Sequence, residues 1–237
     1  MVEIVLARPA GVRLHGRLSS NVRPHDLHLF MNRRQALVTA ALTVAGSSRG
    51  QPVIPQEGKQ FVSLKTAQPV APGKIEVLEF FSYACSHCFA FDPPLERWVS
   101  GLASDVAFRR VPVPFLRNQD NFQRTYFALE ATGLVKQAHS KVFDAVHREG
   151  LALSQPAEIA EVVAKAGGSP DKFLSAFNSF SMPSFLARAK SSTATYEIEE
   201  VPTLAIGGRF LTTPGHAGGA AQALAVADYL IQRVRKQ

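Results

Sequence analysis

Cysteine is nearly absent: two of the 237 residues, Cys85 and Cys88, with one tryptophan and three methionines. A single C-x-x-C supplies half of a four-ligand zinc site. Neither a second C-x-x-C nor an H-x3–5-H pair stands nearby to complete one. The apolar stretch Ala36–Gly46 falls well short of the roughly 20 residues a membrane-spanning helix needs. No internal repeat or low-complexity tract is evident. A formal charge of +7 would suit a nucleic-acid partner, but no stripe of Lys and Arg with interleaved aromatics accompanies it. Residues 1–50 hold seven of the 26 basic residues and two of the 19 acids, so the remaining 187 carry 19 bases against 17 acids. The basic excess belongs to the leader and the body is nearly balanced.

The leader has the three-part layout of a secretory signal peptide over about residues 31–50. Met31-Asn32-Arg33-Arg34 is a short basic region, Ala36–Gly46 is apolar, and Ala45-Gly46-Ser47-Ser48 supplies small residues for cleavage. Residues 1–30 carry Arg, His and Pro without apolar periodicity, so translation is expected to begin at Met31. The Arg33-Arg34 pair fits either a general secretory or a twin-arginine signal, and the former is preferred. Export places the cysteines in an oxidising compartment, where C-x-x-C reads as a disulfide or a redox centre rather than a metal half-site.

The body is long enough for one sizeable domain, or one domain with an insertion. Gln60–Leu64 alternates as a short first strand. Lys74–Phe81 reads as a buried strand feeding the cysteine turn, and a helix is expected from Cys85 to about Gly101, kinked at Pro93-Pro94. Asp105–Val113 is the next strand, which completes a parallel βαβ unit. From about Leu116 the period becomes helical. Segments Asn121–Thr132 and Leu134–Arg148 end at Gly133 and Gly150. A third opens at Ser154 as N-cap with Pro156 in its first turn, a fourth at Ser169-Pro170, and a fifth spans Ser184–Tyr196. Phe122, Phe127, Phe143, Phe173, Phe177, Phe180 and Phe185 are expected to pack the core of this block. Val201–Ile206 and Arg209–Leu211 flank Gly207-Gly208 as a hairpin, and a last helix covers roughly Gly219 to Arg235. The expected fold class is α/β: residues 51–115 and 197–237 form one domain, interrupted by an all-helical insertion, 116–196.

The chemistry is concentrated in Phe80-Phe81-Ser82-Tyr83-Ala84-Cys85-Ser86-His87-Cys88. Residues i and i+3 of a helix share a face, so the two sulfurs can meet. A helix N-terminus offers unpaired N–H groups and a positive dipole end, which stabilise a thiolate, the reactive form of cysteine. The direct reading is a dithiol/disulfide redox centre. A purely structural disulfide would close too short a loop to restrain much chain entropy.

With Val77–Cys88 as the strongest local match and Glu200-Val201-Pro202-Thr203 as the second, the sequence from about Glu57 onward resembles the DsbA family of periplasmic thiol–disulfide oxidoreductases. That resemblance implies a thioredoxin fold with an inserted helical domain. It implies Cys85 as an exposed nucleophile at the head of the helix and Cys88 as its resolving partner. His87 would further stabilise the Cys85 thiolate. A stable thiolate leaves easily and favours the dithiol, which makes the disulfide oxidising. Glu79 matches a buried acid that relays protons to the inner cysteine, the alternative being simple exposure like that of Glu76. Pro202 matches a cis-proline loop facing the active site. Val201, Pro202 and Ser86 are the residues expected to face substrate. Ser86 departs from the family's common proline, which restores an N–H donor and leaves the potential open. Trp98 and Tyr83 are expected to pack, and His139, His147 and His216 to lie on the surface.

The resemblance further implies a monomer that oxidises reduced, unfolded secreted proteins and is reoxidised by a DsbB-like membrane quinone reductase. No metal, organic cofactor or nucleic acid is expected. Two alternatives remain at this point: a disulfide reductase or isomerase kept reduced, or a non-catalytic chaperone-like module on the same scaffold.

Overall fold

The computed structural model describes residues 54–237. The leader expected over residues 1–50 lies outside them. The elements run in the order β1 (Val62–Ser63), β2 (Ile75–Phe81), α1 (Ser86–Ser100), β3 (Val106–Pro112), α2 (Gln119–Ala131), α3 (Val135–His147), α4 (Pro156–Lys165), α5 (Pro170–Phe177), α6 (Met182–Thr195), β4 (Thr203–Ile206), β5 (Phe210–Thr212), α7 (Pro214–Ala217) and α8 (Ala220–Arg235). Among the described residues no helix is long and apolar enough to cross a membrane.

One five-stranded sheet has the order β1-β5-β4-β2-β3. β2 lies parallel to β3, antiparallel to β4, and β4 and β1 both pair antiparallel with β5. This is the thioredoxin-like topology. β2 is covered on both faces, which explains why Ile75–Phe81 reads as a nearly continuous apolar run. Val77 joins a cluster with Phe61, Phe91, Leu95, Ile206 and the apolar side of α8. Leu78 and Phe80 point to the opposite face, where Val111, Ala189 and Tyr196 pack. Phe81, at the end of β2, belongs to a third cluster that extends through Tyr83 and both cysteines into α2–α5. The alternation of β2 thus sends Glu79 and Phe81 towards α1, and the strand ends where the cysteine turn begins.

Local rules account for most boundaries. Pro93 and Pro94 lie inside α1 without ending it. The N-cap of α4 is Gln155 rather than the expected Ser154. Pro156 occupies the first helical position, so the extended residue before it becomes the cap, and Glu158 Oε2 reaches back to the Gln155 N–H at 3.1 Å. The helix α7 was not expected; Thr213 caps it by accepting from the His216 N–H at 3.1 Å. Phe180 is not in the core. It sits fully exposed, at 103%, in the turn between α5 and α6, where the helical period that placed it inward is interrupted. Phe127 and Phe185 do meet, stacked at 5.4 Å.

The β4–β5 hairpin turns on Gly207 (φ 58°) and Gly208 (φ 66°), both in the left-handed region. At Gly208 the space is also taken: a Cβ would lie 2.3 Å from the Gln68 carbonyl oxygen, and the Gln68 N–H, donating to the Gly208 carbonyl at 2.7 Å, ties the two backbones together. Gly58 has φ 81° with open space around it. Gly58→Ala is therefore expected to cost about 1 kcal/mol, the left-handed penalty alone, and Gly208→Ala clearly more. Equal losses in denaturant unfolding would contradict this.

Candidate active site

The turn after β2 places the first cysteine. Cys85 N–H donates to the Ser82 carbonyl at 3.0 Å and Ala84 N–H to Ser82 Oγ at 3.1 Å. Cys85 then occupies the N-cap of α1 with extended backbone angles (φ −92°, ψ 115°), and its sulfur takes the place that a Ser or Asp oxygen takes in an ordinary cap. Sγ accepts from the Cys88 N–H at 3.1 Å. It also lies 3.4 Å from the Val201 carbonyl, to which a protonated Sγ donates. The two sulfurs are not joined in this structure.

Cys85 is less open than the sequence suggests: 8% exposed, against none for Cys88. It caps the helix rather than forming its first residue, so its sulfur is tucked beneath the Val201-Pro202 loop. Hydrogen bonding from the Cys88 side chain lowers its pKa to about 7, opposed by burial and assisted by the backbone N–H groups of Cys88 and His87. Burial pushes the Cys88 thiol far up, as do its hydrogen bond to Cys85 and the Cys85 charge, with the Glu79 charge adding to them. The pair is asymmetric: the outer sulfur ionises and the inner one holds its proton.

Ser86 and His87 are both exposed. The Ser86 N–H is not among the donors acting on the Cys85 sulfur. His87 acts on it through its backbone N–H. The Val201–Pro202 peptide is cis, and the Val201 carbonyl rather than its side chain reaches the sulfur.

Glu79 is 1% exposed. It stands in register with Arg110 on the parallel strand β3, and Arg110 Nε donates to its Oε2 at 2.7 Å. Arg110 Nη2 also reaches Asp92 Oδ1 at 3.3 Å and Glu96 Oε1 at 2.6 Å. One buried guanidinium therefore serves three carboxylates, which cannot all be fully compensated. Burial raises the Glu79 pKa to about 7; Arg110 pulls it down, and Asp92 and Glu96 push it up. Glu76, three residues earlier in β2, instead pairs with Arg109 near the surface at 3.1 Å.

His139 is 3% exposed and is not a surface residue. Its Nδ1 lies 2.7 Å from the Tyr83 hydroxyl. Its Nε2 is 3.3 Å from Asp92 Oδ1, within ion-pair distance but out of line for a hydrogen bond. Burial holds its pKa down, partly offset by Asp92. His147 is half-buried, and its Nε2–H donates to the Tyr83 carbonyl at 2.8 Å. Both were misplaced because α3 packs against the cysteine turn, which no local pattern reveals. Arg110 and Asp92 were also missed, though each left a signal: Arg110 is a charge in a strand opposite Glu79, and Asp92 is four residues beyond Cys88 on the same helical face. His216 is exposed as expected, 3.6 Å from Glu200. Trp98 is not purely packing: its Nε1–H donates to Asp228 Oδ1 at 2.8 Å. Among the described residues no group of three or more His, Cys, Asp or Glu could hold a metal ion.

The sign of the Glu79 shift makes a prediction. A carboxyl with a raised folded-state pKa binds a proton in the folded chain while the unfolded chain has lost it. Its ionisation therefore destabilises the fold progressively from about pH 4.5 to about pH 7. Glu79→Gln keeps the shape without the charge, and Arg110 retains Asp92 and Glu96. The variant is expected to unfold at higher temperature than the parent at pH 8, with the difference shrinking towards pH 4.5. A constant difference across that range would contradict the assignment.

Comparison with known proteins extends this geometry. A family profile described as a DSBA-like thioredoxin domain matches residues 76–225. Thiol:disulfide interchange protein DsbA of Azotobacter vinelandii is 42% identical over 179 residues, 75% of this chain and 84% of that protein. The DsbA of Pseudomonas syringae pv. tomato is 39% identical over 201 residues, 84% of this chain and 93% of its own. The crystal structure of Pseudomonas aeruginosa DsbA superposes with a TM-score of 0.73 at 38% identity, covering 76% of this chain and 94% of that one. The Xylella fastidiosa oxidoreductase DsbA gives 0.71 at 33% identity, covering 78% and 100%.

Proposed function

The chain belongs to the DSBA-like thioredoxin domain family, and from that premise we propose that Cys85 and Cys88 are the redox pair through which it works. It is a thiol:disulfide oxidoreductase that donates a disulfide to reduced substrate proteins. The observation that supports this pair is the capping of α1 by the Cys85 sulfur, at 3.1 Å from the Cys88 N–H. The same donors that cap the helix stabilise the thiolate released when the disulfide is given away.

In the oxidised form a substrate thiolate attacks Cys85 Sγ. The Cys85–Cys88 bond breaks, Cys88 leaves with the electron pair and takes up a proton, and a Cys85–substrate disulfide forms. A second substrate thiolate then attacks the substrate sulfur and releases Cys85 as its capped thiolate. Two electrons have passed to the pair with one proton, which rests on Cys88, while Cys85 stays a thiolate and the substrate carries a new disulfide. Glu79, poised near neutrality, is the proton reservoir beside Cys88; Arg110, Asp92 and Glu96 set that poise. Pro202 and Val201 present the backbone edge on which an extended substrate segment lies, with Ser86 and His87 at its exposed margin. The electrons reside in the two sulfurs, so the exchange needs no metal or organic cofactor.

Residues 51–115 and 197–237 form the thioredoxin-like part in this reading, with 116–196 inserted. The protein is exported by its leader, acts as a periplasmic monomer on unfolded secreted chains, and is reoxidised by a DsbB-like membrane quinone reductase.

Mixing each single variant with a reduced, unfolded two-cysteine substrate and a mild oxidant tests the roles. Cys88→Ser is expected to accumulate a mixed disulfide through Cys85, and Cys85→Ser to accumulate none. Trapping through Cys88 instead would reverse the assignment. Acid quenching of cells separates donor from reductase or isomerase: the pair is expected predominantly oxidised at steady state, and a predominantly reduced pair would favour the latter.

A further inference from the structure

Tyr83 stands two residues before Cys85, and α3 holds it at both ends. His139, Phe143 and His147 recur every four residues on one face of that helix. His139 Nδ1 meets the Tyr83 hydroxyl at 2.7 Å, the Phe143 ring lies 4.9 Å from the Tyr83 ring, and His147 Nε2–H donates to the Tyr83 carbonyl at 2.8 Å. His147 is itself stacked on Phe89, the residue after Cys88, with ring centroids 5.0 Å apart and planes 14° from parallel.

The hydrogen bond from His147 to the Tyr83 carbonyl has a specific mechanical meaning. The Tyr83 carbonyl and the Ala84 N–H belong to one planar peptide unit. Its oxygen is bonded to His147 from α3, and its N–H to Ser82 Oγ at 3.1 Å. That unit cannot rotate without breaking both bonds, and it is separated from the Cys85 N-cap by a single residue. No hydrogen bond joins either histidine to a sulfur, so neither acts as a reacting group in this reading.

We infer that His147 and His139 are positioning residues for the exchange reaction: from α3 they fix the Tyr83–Ala84 peptide and so fix where the Cys85 sulfur caps α1. The inference rests on the reading of Cys85 as nucleophile. It assigns the helical block a part in setting sulfur reactivity, through a hydrogen bond to the backbone rather than through charge.

The test is the pH titration of thiolate absorbance near 240 nm in the reduced protein, with thermal unfolding measured on each sample. His147→Ala is expected to raise the Cys85 midpoint by up to about one pH unit, the worth of one hydrogen bond. His147→Gln keeps an N–H donor without the imidazole and is expected to restore the parent midpoint. Tyr83→Phe, which loses only the hydroxyl facing His139, is expected to move it less and in the same direction. Phe173→Leu, in the same apolar cluster but in α5, controls for stability: a lower melting temperature with an unmoved midpoint. A parent midpoint in His147→Ala would overturn the inference. A His147→Gln midpoint as high as that of His147→Ala would also overturn it, because the effect would then belong to imidazole charge. An unmoved midpoint in Tyr83→Phe would remove His139 from it. A parent protein with no thiolate forming near neutral pH would instead refute the reading of Cys85.

Discussion

A sulfur in the place of a capping oxygen is the interaction on which the rest depends. The first turn of any helix has N–H groups without partners inside the helix. In α1 the Cys88 N–H finds its partner in Cys85 Sγ. The cap is weak for a neutral thiol, a poor acceptor, and strong for a thiolate. Helix stability and sulfur ionisation are thereby the same event. Forming the disulfide removes the anion that the cap favours, so the scaffold leans towards the dithiol and gives the disulfide away. Cys88, one turn deeper and without exposure, has the opposite preference. Two identical side chains acquire different roles from three residues of separation.

The charges beneath this pair are arranged to be incompletely satisfied. Arg110 is shared by Glu79, Asp92 and Glu96, of which only Glu96 is open to solvent. A one-to-one buried pair would lock Glu79 ionised; an apolar site would lock it protonated. Sharing leaves it between, at the cost of folding stability. That cost fits the proposed role of Glu79 as a proton reservoir, since a group fully content in either state exchanges nothing.

Much of this was legible in the sequence because it is local. The C-x-x-C, the apolar strand before it and the Gly207-Gly208 hairpin are each set by neighbours in the chain, whereas Pro202 was legible only through the family resemblance. What was not legible arises from packing between distant segments. Phe180 follows the helical spacing of its block but lands in a turn, and spacing alone cannot mark that break. His139 and His147 read as surface histidines because α3 gives no sign of the turn it grips. Tyr83 read as packing, which it is, but its hydroxyl and carbonyl are both engaged. Arg110 lies between: the charge is visible in the strand, and its partner emerges once β2 and β3 are put in register. Cys85 was expected to be exposed; the loop that covers it comes from residue 201, more than a hundred positions away.

Equilibration of residues 51–237 with defined mixtures of reduced and oxidised glutathione measures the consequence directly. If the capped Cys85 thiolate stabilises the dithiol, the midpoint should be more oxidising than about −200 mV. A midpoint more reducing than about −270 mV would mean that the disulfide, not the thiolate, is the favoured form, and would contradict the account.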